Sequence, residues 1–478
     1  MNMSVLRMCF VMIALLALAR TVLADASKTN RYMAYPSSRP SSFSLCRDLA
    51  DDWPSPFTNS VCWSDGLEPH AGATYVAGKI DGANSILWTP IKDEDTTYAM
   101  FDTLVLEAGT SFCIRHKSKC KAIFNDLRVD GDMTFYCPNV NHTILGGKLR
   151  LSDGVKLTVS SYNSRIFHIE SEISGGSGGQ ISFISQSGTT AYRSYYQLSG
   201  ANTNFLGKIS VSTRGDAPTF TSQYSSLSIN AADALGGKLS EFAYDALTLK
   251  NKSLLDVGNH NIVLPADANR GILISSGGGR IDVSEGGTFT VNWPLVLWKN
   301  THFYKEGTGR LVLGKPLEFM NRNDKYVGTT PGTIDSNNLY YYIDVRHGTL
   351  AVTDSLALNG ACVAFSNDTA LVVSVDVANE ALKKYGVRGD KTRYGTPFTT
   401  DVPIRLVADG TLTEGAYSVP LVTVKNAYID DVASKLKVTL DIDGYRLDGI
   451  TSTAADGISG ATTFYANLLH NGLVISVR

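Results

Sequence analysis

A repeat of about 22 residues beginning at Phe101 constrains this chain more than any other feature. Phe101-Asp-Thr-Leu104-Val-Leu106-Glu-Ala-Gly109-Thr-Ser-Phe112-Cys-Ile114 is followed by Phe124-Asn-Asp-Leu127-Arg-Val129-Asp-Gly131-Asp-Met133-Thr-Phe135 and by Leu149-Arg-Leu151-Ser-Asp-Gly154-Val-Lys-Leu157-Thr-Val159. Leu104 and Leu127 are 23 positions apart, and Leu127 and Leu149 are 22 apart. Each unit holds two short strands whose apolar residues, two apart, share one side, with a Gly-bearing turn between them. A unit of this size cannot bury its own apolar face, so neighbouring units must supply the core for one another, as in a solenoid.

A looser register continues the pattern: Gly, a polar residue, then aliphatic-x-aliphatic. It starts at Gly147, Gly179, Gly207, Gly279, Gly309 and Gly348, with a degraded copy at Gly237. The steps of 28 to 42 residues exceed one coil, so further strands or loops lie between them. Gly is expected at corners that need positive φ or bring coils too close for a side chain. Two-residue alternation and β-branched residues prevail, with Val377–Lys384 the best helical candidate. A sandwich or propeller would also give many short strands, but one turn per strand pair at a coil-length period favours a parallel β-helix. Residues 100–375 would then make roughly 9–12 coils stacked ~4.8 Å apart.

Three segments carry a family resemblance: Gly279-Arg-Ile-Asp-Val-Ser-Glu-Gly-Gly-Thr-Phe-Thr-Val291, Leu198-Ser-Gly-Ala-Asn-Thr-Asn-Phe-Leu-Gly207 and Lys305-Glu-Gly-Thr-Gly-Arg-Leu-Val-Leu313. They resemble the passenger-associated repeats of autotransporters and similar bacterial surface proteins, over roughly residues 100–375. The resemblance implies an all-β fold, a right-handed parallel β-helix, displayed or released outside the cell. It implies no activity. The chain departs from the autotransporter pattern in having no room for a C-terminal translocator barrel of about 250–300 residues.

The N-terminus supports export. Arg7 precedes the apolar run Met8–Ala19, and Val22-Leu23-Ala24 suits a cleavage site, so residues 1–24 read as a signal peptide. The run is shorter than the ~20 residues of a membrane span, and the mature chain is expected to have no transmembrane segment. The chain carries 43 Lys+Arg and 45 Asp+Glu; losing Arg7 and Arg20 leaves 41 against 45, a charge of −4. That balance gives no footprint for nucleic acid or anionic lipid. Residues 25–99 are expected to form an N-terminal cap with the first coil, and residues 376–478 an all-β cap or small domain. Within the latter, Leu436–Leu447 reads as a hairpin turning at Asp443-Gly444.

Export makes disulfides the default for the six cysteines left after Cys9 is removed. Cys46–Cys62 would staple the cap. Cys113–Cys137, one coil apart, would link stacked positions. The partners of Cys120 and Cys362 stay open. Cys113-x-x-His116-x-x-x-Cys120 with Cys137 downstream is the zinc alternative, weakened by the absence of a Cys-x-x-Cys knuckle.

Glycoside hydrolysis needs two carboxylates, which a β-helix supplies from adjacent coils. Asp51-Asp52 and Asp430-Asp431 fall in the caps and read as solvated turns. Asp126, Asp130 and Asp132 beside Arg128 come closest to a lyase cluster, with turn acids as the plainer reading. Asp441-Ile-Asp443-Gly444 lacks the remaining ligands of a calcium loop. Arg388-Gly-Asp390 is a short chance-prone adhesion tripeptide, and Arg346-His347-Gly348 is explained by the repeat register. The eight histidines form no motif. Tyr192, Tyr195, Tyr196 and Tyr340-Tyr341-Tyr342 suit ring ladders or glycan contact. The expectation is an exported, non-catalytic scaffold or adhesin-like binder of a glycan or cell-surface protein, with no cofactor, no metal and an oligomeric state the sequence leaves unread. The rival is a secreted polysaccharide lyase or glycoside hydrolase, distinguished by a groove bearing paired acids and a basic residue.

Overall fold

Strands of four to six residues, alternately apolar and polar and closed by Gly- or Asn-bearing turns, can bury only one face each, and this chain stacks them in parallel. The computed structural model describes residues 29–32, 55–58, 60–70, 72–89, 95–114, 119–137, 142–161, 166–185, 193–213, 224–321, 323–329, 341–354, 357–358, 361–375, 401–408, 412, 415–425, 429–454 and 460–471. The described residues are nearly all β and form a β-solenoid of about ten turns. The chain divides into two compact units at Lys208.

In residues 1–208 one row of parallel strands runs through Thr29–Arg31, Thr74–Ala77, Thr96–Leu106, Lys119–Val129 and His142–Leu151. A second runs through Ser85–Trp88, Thr110–Cys113, Met133–Cys137, Lys156–Ser161 and Gln180–Ser185. The repeat is the register itself: Leu104, Leu127 and Leu149 are successive partners and fully buried. Leu87, Phe112, Phe135, Val159 and Phe183 form the matching column on the other row.

The ten- and eleven-residue strands bend at a corner, where the register shifts between Phe124 and Leu127. Gly147 sits there at φ +84, and a Cβ on it would lie 1.8 Å from the Phe124 carbonyl oxygen. One coil later the strand is divided: Ile166–Ile169 pairs with the first part of His142–Leu151, and Glu172–Gly175 with the last part.

In residues 209–478 the coils have three separate strands. The first row holds Tyr224–Ile229, Ser253–Asp256, Gly279–Asp282, Thr301–Glu306, Tyr341–Val345 and Cys362–Phe365. The second runs from Asn261–Val263 through Thr288–Val291, Arg310–Leu313, Gly348–Val352, Thr369–Ser374 and Val402–Val407 to Leu436–Asp441. The third includes Ala243–Lys250, Arg270–Ile274, Leu295–Leu297 and Leu317–Met320, closed by the antiparallel Tyr326–Gly328. Phe289, Leu311, Leu350, Leu371 and Ile404 stack as one fully buried column.

Thr74–Ala77 is a coil strand within the segment expected to hold the cap and first coil, and the parallel row runs on past residue 375 through Val402–Val407 and Leu436–Asp441. The expected hairpin is not formed. Gly444 does make a turn at φ +79, but Leu436–Asp441 stays in the parallel row while Tyr445–Ala454 joins an antiparallel sheet with Ala461–His470 and Ala416–Lys425. Tight-turn chemistry reverses the chain without deciding which sheet receives the next strand. A short helix, Ile429–Lys435, stands where none was expected, and Val377–Lys384 lies outside the described residues.

Candidate functional site

The first row of residues 209–478 buries Leu255, Ile281, Phe303, Ile343 and Val345, so the residues between them face outward. Register then stacks Asp256 on Asp282 and Asp282 on Glu306. These carboxylates sit in different environments. Asp256 accepts the Ser228 hydroxyl at 2.8 Å and the Gly258 N–H at 2.9 Å. Asp282 is pushed above the ordinary aspartate range by burial, then by Asp256 and Glu306, with Lys305 and Arg280 opposing. Glu306 accepts from Arg346 Nη1 at 3.1 Å.

Rings and guanidinium groups flank the acids. Arg346 lies 4.2 Å over the Tyr304 ring and Arg280 4.5 Å over Tyr224, within cation–π range. His302 Nδ1 lies 2.9 Å from Asp344 Oδ2, and its ring stacks on Tyr342 at 4.3 Å. Lys305 is fully buried beneath this face, donating to the carbonyls of Glu306, Gly307 and His347 at 2.7, 2.5 and 3.1 Å. Two stacked carboxylates, Asp256 held by two hydrogen bonds and Asp282 raised by burial, stand at the one-coil separation that paired-acid chemistry uses; the surrounding rings and guanidinium groups suit sugar contact.

The acids singled out in the sequence behave otherwise. Asp126 accepts from Arg128 Nε at 2.7 Å and Arg150 Nε at 2.6 Å. Burial alone would raise it, but hydrogen bonds from Arg150 and Arg128 outweigh burial and hold it below the ordinary range. Asp130 accepts Ser152 Oγ at 2.6 Å, and Asp132 accepts the Lys156 N–H at 2.8 Å. Asp95 and Asp153 likewise accept N–H groups 24 residues on, from Lys119 and Ser177. These acids tie coil to coil. Arg128, Asp130, Arg150, Leu151, Ser152, Ser174 and Gly175 line an open cleft of about 340 Å³.

Cys62, Cys113, Cys120 and Cys137 are all buried thiols, and the expected Cys113–Cys137 bridge is not made. Its coil spacing misses by one residue, since Cys113 is partnered by Tyr136. The expected Cys46–Cys62 staple falls on Cys46, which lies outside the described residues, as does His116. Among the described residues no group of three or more His, Cys, Asp or Glu is placed to hold a metal.

Gly147 and Gly348 take positive φ, whereas Gly179, Gly207, Gly279 and Gly309 are needed for close approach to neighbouring groups. Gly237 lies outside any strand, its carbonyl accepting Arg270 Nε at 2.6 Å. Tyr196 and Tyr341 are buried, donating to the carbonyls of Ile184 and Met320; Tyr195 is half-buried and Tyr342 is in the ring stack. Asp430 is exposed on the short helix, Asp441 pairs with Arg405, and Asp443 is exposed at its turn. Asp51, Asp52, Tyr192, Tyr340 and Arg388–Asp390 lie outside the described residues.

The unforeseen site had a legible signal. Asp256, Asp282 and Glu306 are 26 and 24 residues apart, a coil length, as are His142 and His168 at 26. No helix among the described residues is long and apolar enough to cross a membrane. The chain matches no protein-family model, no curated protein and no solved structure.

Proposed function

We propose that this chain is an exported, autotransporter passenger-like β-solenoid that binds glycans at a cell surface. The ligand face would be the ladder around Asp282. What supports this is accumulation along one row: Tyr224, then Asp256, then Arg280 with Asp282, then His302 with Tyr304 and Glu306, then Tyr342 with Asp344 stand on five successive coils, and Arg346 follows the last. A polymer lying along the stack meets rings, guanidinium groups and carboxylates distributed over coils ~4.8 Å apart. The apolar run at Met8–Ala19 supports export.

A glycan array run beside reducing-sugar and unsaturated-product assays tests the reading. Binding without turnover, weakened at least tenfold in Tyr342→Ala, is expected; no binding to any glycan overturns it. Asp256 stacked on Asp282 favours a second reading, a glycoside hydrolase with Asp282 as acid and Asp256 as its partner. Turnover lost in both Asp256→Asn and Asp282→Asn would establish the second reading in place of the first.

A further inference from the structure

A different outward face, in residues 1–208, carries side chains that the glycan reading leaves unused. Strand Ile166–Ile169 lies between His142–Leu151 and Arg193–Leu198, with His168 partnered by Ile144 and Gln197. Phe167 and Ile169 fill the core, so His168 faces outward. Its Nε2 lies 2.6 Å from the hydroxyl of Ser199, 31 residues on in the next coil. On the far side of the ring, Nδ1 lies 3.6 Å from Glu170 Oε1. The other oxygen of Glu170 accepts from Lys121 Nζ at 2.5 Å, which fixes the carboxylate. His142 stacks over His168 at 6.1 Å and 19°, with its Nε2 buried and lacking a hydrogen-bond partner.

A hydroxyl on one imidazole nitrogen and a carboxylate at the other is the arrangement of an activated serine nucleophile. Tying two coils together needs only the Ser–His bond. It does not need a carboxylate at Nδ1, nor the unsatisfied polar atom of His142 beside the ring.

We propose that Ser199, His168 and Glu170 form a hydrolytic centre that removes ester-linked acyl groups projecting from an acidic polymer. His168 is buried, Ser199 is half-buried and the Glu170 and Lys121 side chains are about one-third exposed, so a projecting substituent would meet Ser199 from the surface, beside the covered imidazole. Lys119 and Lys121 supply the positive charge that favours an acidic chain.

Ser199 Oγ bonds to the ester carbonyl carbon as its proton passes to His168 Nε2. The tetrahedral adduct expels the alcohol, which takes that proton and leaves acyl-Ser199. Water repeats the exchange and releases the carboxylic acid, restoring the hydroxyl. Glu170, 3.6 Å from Nδ1, is a positioning residue that favours the proton of neutral His168 on Nδ1 through its charge rather than through a hydrogen bond. Burial lowers His168, Glu170 opposes, and His142, Lys121 and Lys119 lower it further, so the imidazole is neutral and able to accept at pH 7. Gln197, across the register, carries no charge.

The test treats the full-length chain with a fluorophosphonate probe and, separately, p-nitrophenyl acetate, locating any adduct by mass spectrometry. Expected is one adduct, on Ser199, lost in Ser199→Ala and in His168→Gln, with acetate release down at least 100-fold in both. Glu170→Gln should slow release about tenfold and move the rising limb of its pH profile downward, since removing the nearby anion lowers His168 further. No adduct on Ser199 of the folded wild-type chain overturns the proposal, as does equal acetate release by Ser199→Ala. A lowered melting temperature in Ser199→Ala with an unlabelled wild type identifies the bond as a structural tie and overturns it too.

Discussion

Asp126 and Asp282 are both outward aspartates on coil strands, yet their surroundings drive them in opposite directions. In the first unit the neighbouring side chains are Arg128 and Arg150, which are themselves register partners and close on one carboxylate. In the second unit the neighbouring coils present Asp256 and Glu306. Each acid has an arginine two residues away, Arg128 for Asp126 and Arg280 for Asp282, so what separates them is the coil next door, about 24 residues along the sequence: Arg150 beside one, Asp256 and Glu306 beside the other. The coils differ too. The first unit turns one corner inside continuous strands as far as His142–Leu151, at Gly147, and divides there one coil later, whereas the rows of the second unit are built from separate strands.

The corner should give the largest effect. Gly147→Ala adds a backbone collision to an unfavourable φ and is expected to destabilise the chain by about 3–4 kcal/mol in urea unfolding. Gly154→Ala, at φ +74 with nothing within 4 Å of its Cβ position, should cost about 1–2 kcal/mol. Equal losses would show that the bent corner imposes no special constraint. Next is the clamp: Asp126→Ala leaves Arg128 and Arg150 facing each other and should cost about 2 kcal/mol, discounted because both guanidinium groups are nearly half exposed. Asp282→Asn should instead stabilise, by roughly 0.5 kcal/mol at pH 7, because it relieves a half-buried like-charge stack. A loss there would contradict the contrast.

The pH dependence follows the same signs and is the smallest effect. Asp126 is lowered on folding, so its contribution is present above the unfolded aspartate value and is lost as pH falls through its folded value. Asp282 is raised, so its contribution is present below the unfolded value and is lost as pH rises through its folded value. Urea midpoints between about pH 2 and 7 should therefore fall less on the acid side in Asp126→Asn, and Asp282→Asn should reduce the gain seen on mild acidification.

The coil was legible because burial enforces it. Leu104, Leu127 and Leu149 must share a side, and one slipped residue would expose the whole set. The faces were less legible, since an outward residue has no such constraint and its neighbours depend on loop lengths between strands. Cys113 and Cys137 show the limit: a spacing of 24 fits the average coil but misses the actual register by one. Leu436–Asp441 shows another, because the partners of the strands flanking a turn are chosen by distant edges.

Carboxyl carbon NMR of the full chain, with aspartates assigned through Asp126→Asn and Asp282→Asn, tests the central contrast most directly. Expected is an Asp126 midpoint below the ordinary aspartate value and an Asp282 midpoint above it, with the latter falling when Asp256 is replaced by Asn. Midpoints that coincide, or that stand in the reverse order, would contradict the claim that the neighbouring coil decides the role of each acid.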